Sequence, residues 1–158
     1  MGRMARFKLI SPVSRPFRIA GLLATVFILT VSLQGCGTSA AAGQLHLMPL
    51  EALPEAVRQA PSAVREAYQF AAANSEVLRA LPCYCGCGNV GHTSNLDCYL
   101  ADIDESGTIT FDNHALGCTL CVDITQDAMR LLREGRELPA IREYVDARYA
   151  RFGPSNMP

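Results

Sequence analysis

Apolar residues recur along this chain in two rhythms, one of three and four and one close to two, and the changes of rhythm divide it into elements. Leu50, Leu53, Val57 and Ala60 fall at helical spacing, with Pro54 suited to a first turn. Val64, Tyr68, Ala71 and Ala72 carry that period through a second helix, which Ser62 can cap. Asn74-Ser75 interrupts it. Val77, Leu78 and Leu81 then make a short further turn that stops at Pro82, because proline disfavours helical backbone in the residue before it. Tyr99 to Ile103 and Thr108 to Phe111 are β-prone runs around Asp104-Glu105-Ser106-Gly107, which predicts a hairpin.

From Asp112 or Asn113 the helical period returns, with Leu116, Leu120, Ile124, Ala128 and Leu131 on one stripe, and it is expected to run to Glu134 and stop at Gly135. A last helix begins at Pro139, turns Ile141, Tyr144, Val145, Tyr149 and Phe152 inward, and ends at Gly153-Pro154. Ser155 to Pro158 is expected to fray. The fold class expected is therefore mainly α: a small helical domain with a cysteine-rich loop and one short β-hairpin.

The N-terminal pattern is different. Arg3, Arg6, Lys8, Arg15 and Arg18 form a basic leader before Ile19 to Leu33, an apolar run of 15 residues. A membrane-spanning helix needs about 20 apolar residues, so the run suits a signal segment better. It ends in Leu33-Gln34-Gly35-Cys36, which resembles the lipobox of bacterial prolipoproteins. On that reading residues 1–35 are removed. Cys36 then carries a diacylglyceryl group, and two fatty acyl chains such as palmitate anchor stably where one does not. The alternative is an uncleaved anchor helix with an incidental cysteine. Either reading places the domain outside the cytoplasm. Residues 36–48 read as lipidated N-terminus and tether, 49–153 as the domain and 154–158 as tail.

Charge changes the picture once the leader is set aside. The chain carries 14 Lys and Arg against 15 Asp and Glu, and the five leader cations precede Cys36, so the mature part has a net charge of −6. Nucleic acid is excluded as an expected partner.

The chemistry concentrates in Pro82-Cys83-Tyr84-Cys85-Gly86-Cys87-Gly88, followed by His92, Cys98, His114, Cys118 and Cys121. If the loop is extended, Cys83, Cys85 and Cys87 share one side; if it is coiled, its glycines let the backbone fold around an ion. Cysteine-x-cysteine steps suit thiolates that bridge neighbouring ions. On a continuous helix His114, Cys118 and Cys121 would form a stripe beside the apolar one.

The same residues, with Gly91-His92, Ser94-Asn95 and Asp97-Cys98, resemble the PCYCGC motif-containing lipoproteins of bacteria, over about Pro82 to Tyr149. That resemblance implies a membrane location and cysteine chemistry, and no substrate.

Three functions compete for these cysteines. The first is a metal site formed by Cys83, Cys85, Cys87, Cys98, Cys118 and Cys121, with His92 and His114 as further ligands. Sulfur-rich ligation selects Cu(I), with Zn(II) next, for sequestration, buffering or transfer to a partner protein without turnover. The second is a disulfide-stapled structural lipoprotein, since six is even and the compartment is oxidising. The third is a thiol-disulfide oxidoreductase using Cys118 and Cys121 at a helix start. Asp102, Asp104, Ser106, Gly107 and Ile109 also partly match a calcium loop, but Asn113 stands where the bidentate glutamate belongs, so a plain turn is expected.

Overall fold

Proline sets three of the six α-helix starts among the described residues. The computed structural model describes residues 45–157, and Cys36 with its leader lies outside the described residues. Pro54 and Pro61 stand immediately before α1 (Glu55–Arg58) and α2 (Ser62–Ala73), and Pro139 lies in the first turn of α6 (Leu138–Tyr149). The fixed φ of proline is already that of a helix entrance, and its missing N–H is one that a first turn leaves unpaired. Ser62, expected as a cap, is instead the first helical residue, because Pro61 takes the cap position. The expected helix at Leu50 to Ala60 is split into a 3₁₀ turn at Leu50–Ala52 and the short α1, divided by Leu53 and Pro54.

Asn74 separates α2 from α3 (Ser75–Arg79), as its sequence suggests. The hairpin pairs β1 (Leu100–Ile103) with β2 (Ile109–Phe111) antiparallel, with Ile103 opposite Ile109 and a bulge between Leu100 and Asp102. After it come α4 (His114–Gly117), α5 (Thr119–Arg133) and α6. The fold among the described residues is mainly helical with this single hairpin, as the residue pattern predicts. No helix there is long and apolar enough to cross a membrane.

Helix α5 packs against both α2 and α6. Its buried Ile124, Ala128, Met129 and Leu131 join Ala67, Tyr68, Phe70 and Ala71 of α2 and Ile141 and Val145 of α6 in one core. Burial of each large aliphatic side chain contributes about 1.5–3 kcal/mol, which outweighs the weak propensities of the short helices around it. Gly135 closes α5 with φ 76°, a left-handed conformation that glycine adopts without strain.

The expected continuous helix from Asn113 to Glu134 is broken. Cys118 has φ −120° and ψ 97°, outside the helical region, and serves as the N-terminal boundary of α5. Gly117 before it is a poor helix former, so the break costs little. Its effect is to start a new helix at the cysteines, with Cys121 in the first turn.

The turn of the hairpin uses its own donors. Asp104 Oδ1 accepts from the backbone N–H groups of Ser106 (2.9 Å) and Thr108 (2.8 Å) and from the Ser106 hydroxyl (2.6 Å). Gly107 at φ 84° completes it. Asp102 faces Thr110 across the ladder, and no acidic residue of this stretch belongs to a group of converging metal donors among the described residues.

Candidate metal centre

The cysteine loop is irregular up to Gly86, whose φ of 84° turns the chain into a 3₁₀ turn at Cys87–Val90. The kink sorts the thiols. Cys83 Sγ lies 3.4 Å from Cys85 Sγ and 3.5 Å from Cys121 Sγ, and Cys85 Sγ lies 3.6 Å from Cys121 Sγ. Cys87 instead meets Cys98, at 3.7 Å, and Cys98 in turn meets Cys121 at 3.2 Å. His114 Nε2 approaches Cys85 Sγ to 3.4 Å.

Three tyrosines hold the segments in register. The Tyr84 hydroxyl donates to Asp146 Oδ1 at 2.6 Å and ties the loop to α6. Burial first and this bond second push the Tyr84 phenol up to about 12. Tyr99, fully buried, donates to the Cys121 carbonyl oxygen (2.9 Å) and shares a bond with the Thr125 hydroxyl (2.8 Å), fixing the start of α5. Tyr68 donates to the Asp112 carbonyl oxygen (2.8 Å) and packs edge-on against Tyr99 with ring centres 4.9 Å apart.

The donors fall into three overlapping tetrads, each with every donor atom within 4.8 Å of the others: Cys83, Cys85, Cys98 and Cys121; Cys85, His114, Cys118 and Cys121; and Cys85, Cys87, Cys98 and His114. Seven of the eight expected ligands are thus brought together. The eighth is not, since His92 belongs to none of the tetrads. Its backbone N–H bonds to the Cys87 carbonyl oxygen (3.3 Å), its ring packs edge-on against His114 (5.0 Å between centres), and its Nε2 stands 4.0 Å from Asp112 Oδ2.

These distances discriminate between chemistries. A disulfide requires sulfurs about 2.05 Å apart. A tetrahedral ion with metal–sulfur bonds of about 2.3 Å keeps its sulfurs about 3.8 Å apart. The observed separations of 3.2 to 3.7 Å approach the second value, and all six cysteines among the described residues are free. The expected alternative of three disulfide bridges is therefore not what the described residues form. The donor set fits a metal ion.

Electrostatics in the cluster are uneven. Hydrogen bonds from the thiols of Cys121 and then Cys98 hold Cys83 down to about 2. Burial first and the Cys83 charge second push Cys85 and Cys87 up. Cys121 is pushed up by its bonds to Cys83 and Cys98 and by burial. At Cys98 the bond from Cys121 favours the thiolate, but its bond to Cys83, burial and neighbouring charge outweigh it. One thiolate thus suppresses the ionisation of its neighbours. A cation entering the cluster would offset that repulsion and allow further thiols to ionise, with release of protons.

Unpartnered buried polar atoms also gather beside the centre. His92 Nδ1 and both polar side-chain atoms of Asn95 lack hydrogen-bond partners, although Asn95 is wholly buried. The Asn95 backbone brackets the loop, its N–H donating to Leu81 (2.8 Å) and its carbonyl accepting from Cys98 (3.2 Å).

The profile described as "Protein of unknown function with PCYCGC motif" matches residues 25–157. The chain belongs to that family. No curated protein and no solved structure matches it.

One residue at the centre was missed in the sequence. Asn156 lies in the stretch expected to fray, yet its Oδ1 accepts the Cys83 N–H at 2.7 Å, its Nδ2 donates to Cys87 Sγ at 3.5 Å and to the Ser94 carbonyl oxygen at 3.0 Å, and its own N–H donates to the Cys83 carbonyl oxygen at 3.1 Å. These bonds correct the expected fraying of the tail at this position. The only advance signal was an asparagine, a frequent backbone-bonding residue, three positions after Gly153.

Proposed function

We propose that this chain is an extracytoplasmic protein, anchored to the membrane through lipid on Cys36, that binds soft cations in a Cys/His thiolate centre, Cu(I) first and Zn(II) next, for sequestration, buffering or transfer. The observation that carries the reading is the sharing of Cys85 by all three tetrads. A thiolate has several lone pairs and bridges two ions readily; an imidazole nitrogen has one and serves a single ion. His114 therefore completes only one of the two tetrads that contain it. The all-cysteine tetrad plus one of these gives two ions side by side. They are bridged by Cys85 with Cys121 when Cys118 takes part, or by Cys85 with Cys98 when Cys87 does.

Soft sulfur ligands favour Cu(I) and zinc over calcium or magnesium. A redox enzyme is less well supported, because Cys121 is wholly buried, and because a two-stranded hairpin among helices lacks the alternating strand and helix of a thioredoxin-like domain.

The test uses the full-length protein purified in detergent. Free thiols are counted after denaturation without reductant, and the reduced protein is titrated with Cu(I) and Zn(II) against a competing chelator. Six free thiols and at least two ions per chain are expected. Three native disulfides with no metal uptake would defeat the reading. The anchor is tested separately: Cys36→Ser is expected to leave an unlipidated, uncleaved precursor, and recovery of an unchanged detergent-partitioning protein would contradict the lipid assignment alone.

A further inference from the structure

We propose that Asn156 is the positioning residue of the thiolate centre, holding Cys83 and Cys87 in ligating geometry from a C-terminal strap that touches none of the ions itself. The inference rests on the metal-binding reading above, in the arrangement in which Cys87 takes part. One side-chain amide serves both cysteines through opposite ends: its oxygen accepts from the Cys83 backbone N–H and its nitrogen donates to the Cys87 sulfur. The Ser94 carbonyl oxygen takes the other donation and joins the far side of the loop to the same group. A backbone bond from Asn156 N–H to Cys83 closes the pair, so strap and loop are held by main chain as well as side chain.

The seat for this strap is shaped at two glycines. A Cβ on Gly153 would stand 2.9 Å from the Tyr84 carbonyl oxygen, closer than any side chain tolerates, so the chain passes the loop only because that position has none. A Cβ on Gly88 would come within 3.4 Å of Asn156 Cβ. Beside the seam lies a cavity of about 240 Å³ lined by Gly86, Gly88, Asn89, Pro154, Ser155 and Asn156, which leaves room for an isosteric replacement of the amide.

Chemically, an N–H aimed at a sulfur withdraws charge from the thiolate and orients its lone pairs, the part that outer hydrogen-bond partners play around metal ligands. Loss of such a partner costs about 10–100-fold in metal affinity. The residue also sits 73 positions from Cys83 in sequence, so the contact arises only in the folded chain.

The experiment compares the full-length protein with Asn156→Leu, which removes both ends of the amide, Asn156→Asp, which keeps the acceptor for Cys83 and loses the donations to Cys87 and Ser94, and Gly153→Ala, which lifts the strap. Zn(II) affinity is measured by chelator competition, and Co(II) is used as a spectroscopic stand-in for Zn(II). Affinity is expected to fall about tenfold in Asn156→Asp and toward a hundredfold in Asn156→Leu and Gly153→Ala. The thiolate-to-Co(II) charge-transfer band is expected to move to lower energy in Asn156→Asp, a change that a purely structural role would not produce. Wild-type protein that binds both ions while Asn156→Asp and Gly153→Ala match it in affinity and band position overturns this inference alone. Wild-type protein that takes up neither ion overturns the metal-binding reading and the inference together.

Discussion

The loop at Cys83–Cys87 and the turn at Asp104–Gly107 both crowd donor side chains into a few residues, yet only the first makes them converge. Asp104 spends its carboxylate on the N–H and O–H groups of its own turn. Asp102 sits across a strand pair from Thr110. The thiols of the first loop, apart from the contact of Cys83 with Cys85, find their partners far along the chain. They meet other thiols, His114 and the Asn156 amide, across 36 residues between Cys85 and Cys121 and 38 between Cys83 and Cys121. A group whose hydrogen bonds are satisfied locally has no reason to bind an ion, whereas thiols packed against like groups gain most from one.

The sharpest way to break this comparison is Cys85→Ser, which removes the donor common to all three tetrads. Metal content is expected to fall from two ions per chain to one or none, read by elemental analysis of the purified protein. Retention of two ions would show that Cys85 bridges nothing.

Metal removal should have the next largest effect. An ion that binds only the folded state adds about 4 kcal/mol at a free concentration 1,000 times its Kd. The melting temperature is therefore expected to rise on saturation with Zn(II) and to drop when a chelator is added. A midpoint indifferent to both would separate the centre from the fold.

Alkaline pH supplies a smaller effect in the metal-free protein. Cys85, Cys87, Cys98 and Cys121 are all held above the ordinary thiol value of 9.0. Above pH 9.0 the unfolded chain sheds these protons while the folded one keeps them, so stability falls as pH rises past that value. Cys83 has the opposite sign: its contribution is complete above 9.0 and is lost as pH falls toward about 2. Denaturant midpoints between pH 8 and 11 would show the alkaline decline, and a flat profile would contradict it.

The smallest expected change comes from the other region. Asp104→Ala should lower the melting temperature by a few degrees through loss of the turn bonds and leave metal content untouched, whereas Asp104→Asn, which keeps an acceptor, should change neither. Calcium-dependent stabilisation of the wild type that disappears in Asp104→Asn would restore the turn as a cation site.

Much of the fold was legible because its signals are local. The helical period at Val64, Tyr68 and Ala71, the stop at Asn74, the hairpin around Asp104 and the glycine end at Gly135 each depend on residues within a few positions, and each is present. The break at Cys118 was not legible, since the apolar stripe runs unbroken through it and only the backbone angles reveal the restart. Pro61 likewise displaced Ser62 as the helix boundary through a fixed φ that hydroxyl capping did not have to supply.

By itself the sequence determined the inventory of donors, their concentration in one loop and one helix start, and the helical class of the scaffold, because residue type, short spacing and periodicity are properties of adjacent positions. Tertiary structure alone decided which thiols touch, why Cys87 pairs with Cys98 while Cys83 turns to Cys121, why His92 stands outside the tetrads, and that Asn156 reaches back to the loop. Those outcomes depend on how α5 lies against α2 and α6 and on how Gly153 to Asn156 pass Tyr84 and Cys83, and packing of that kind is a sum over distant contacts that no local pattern contains.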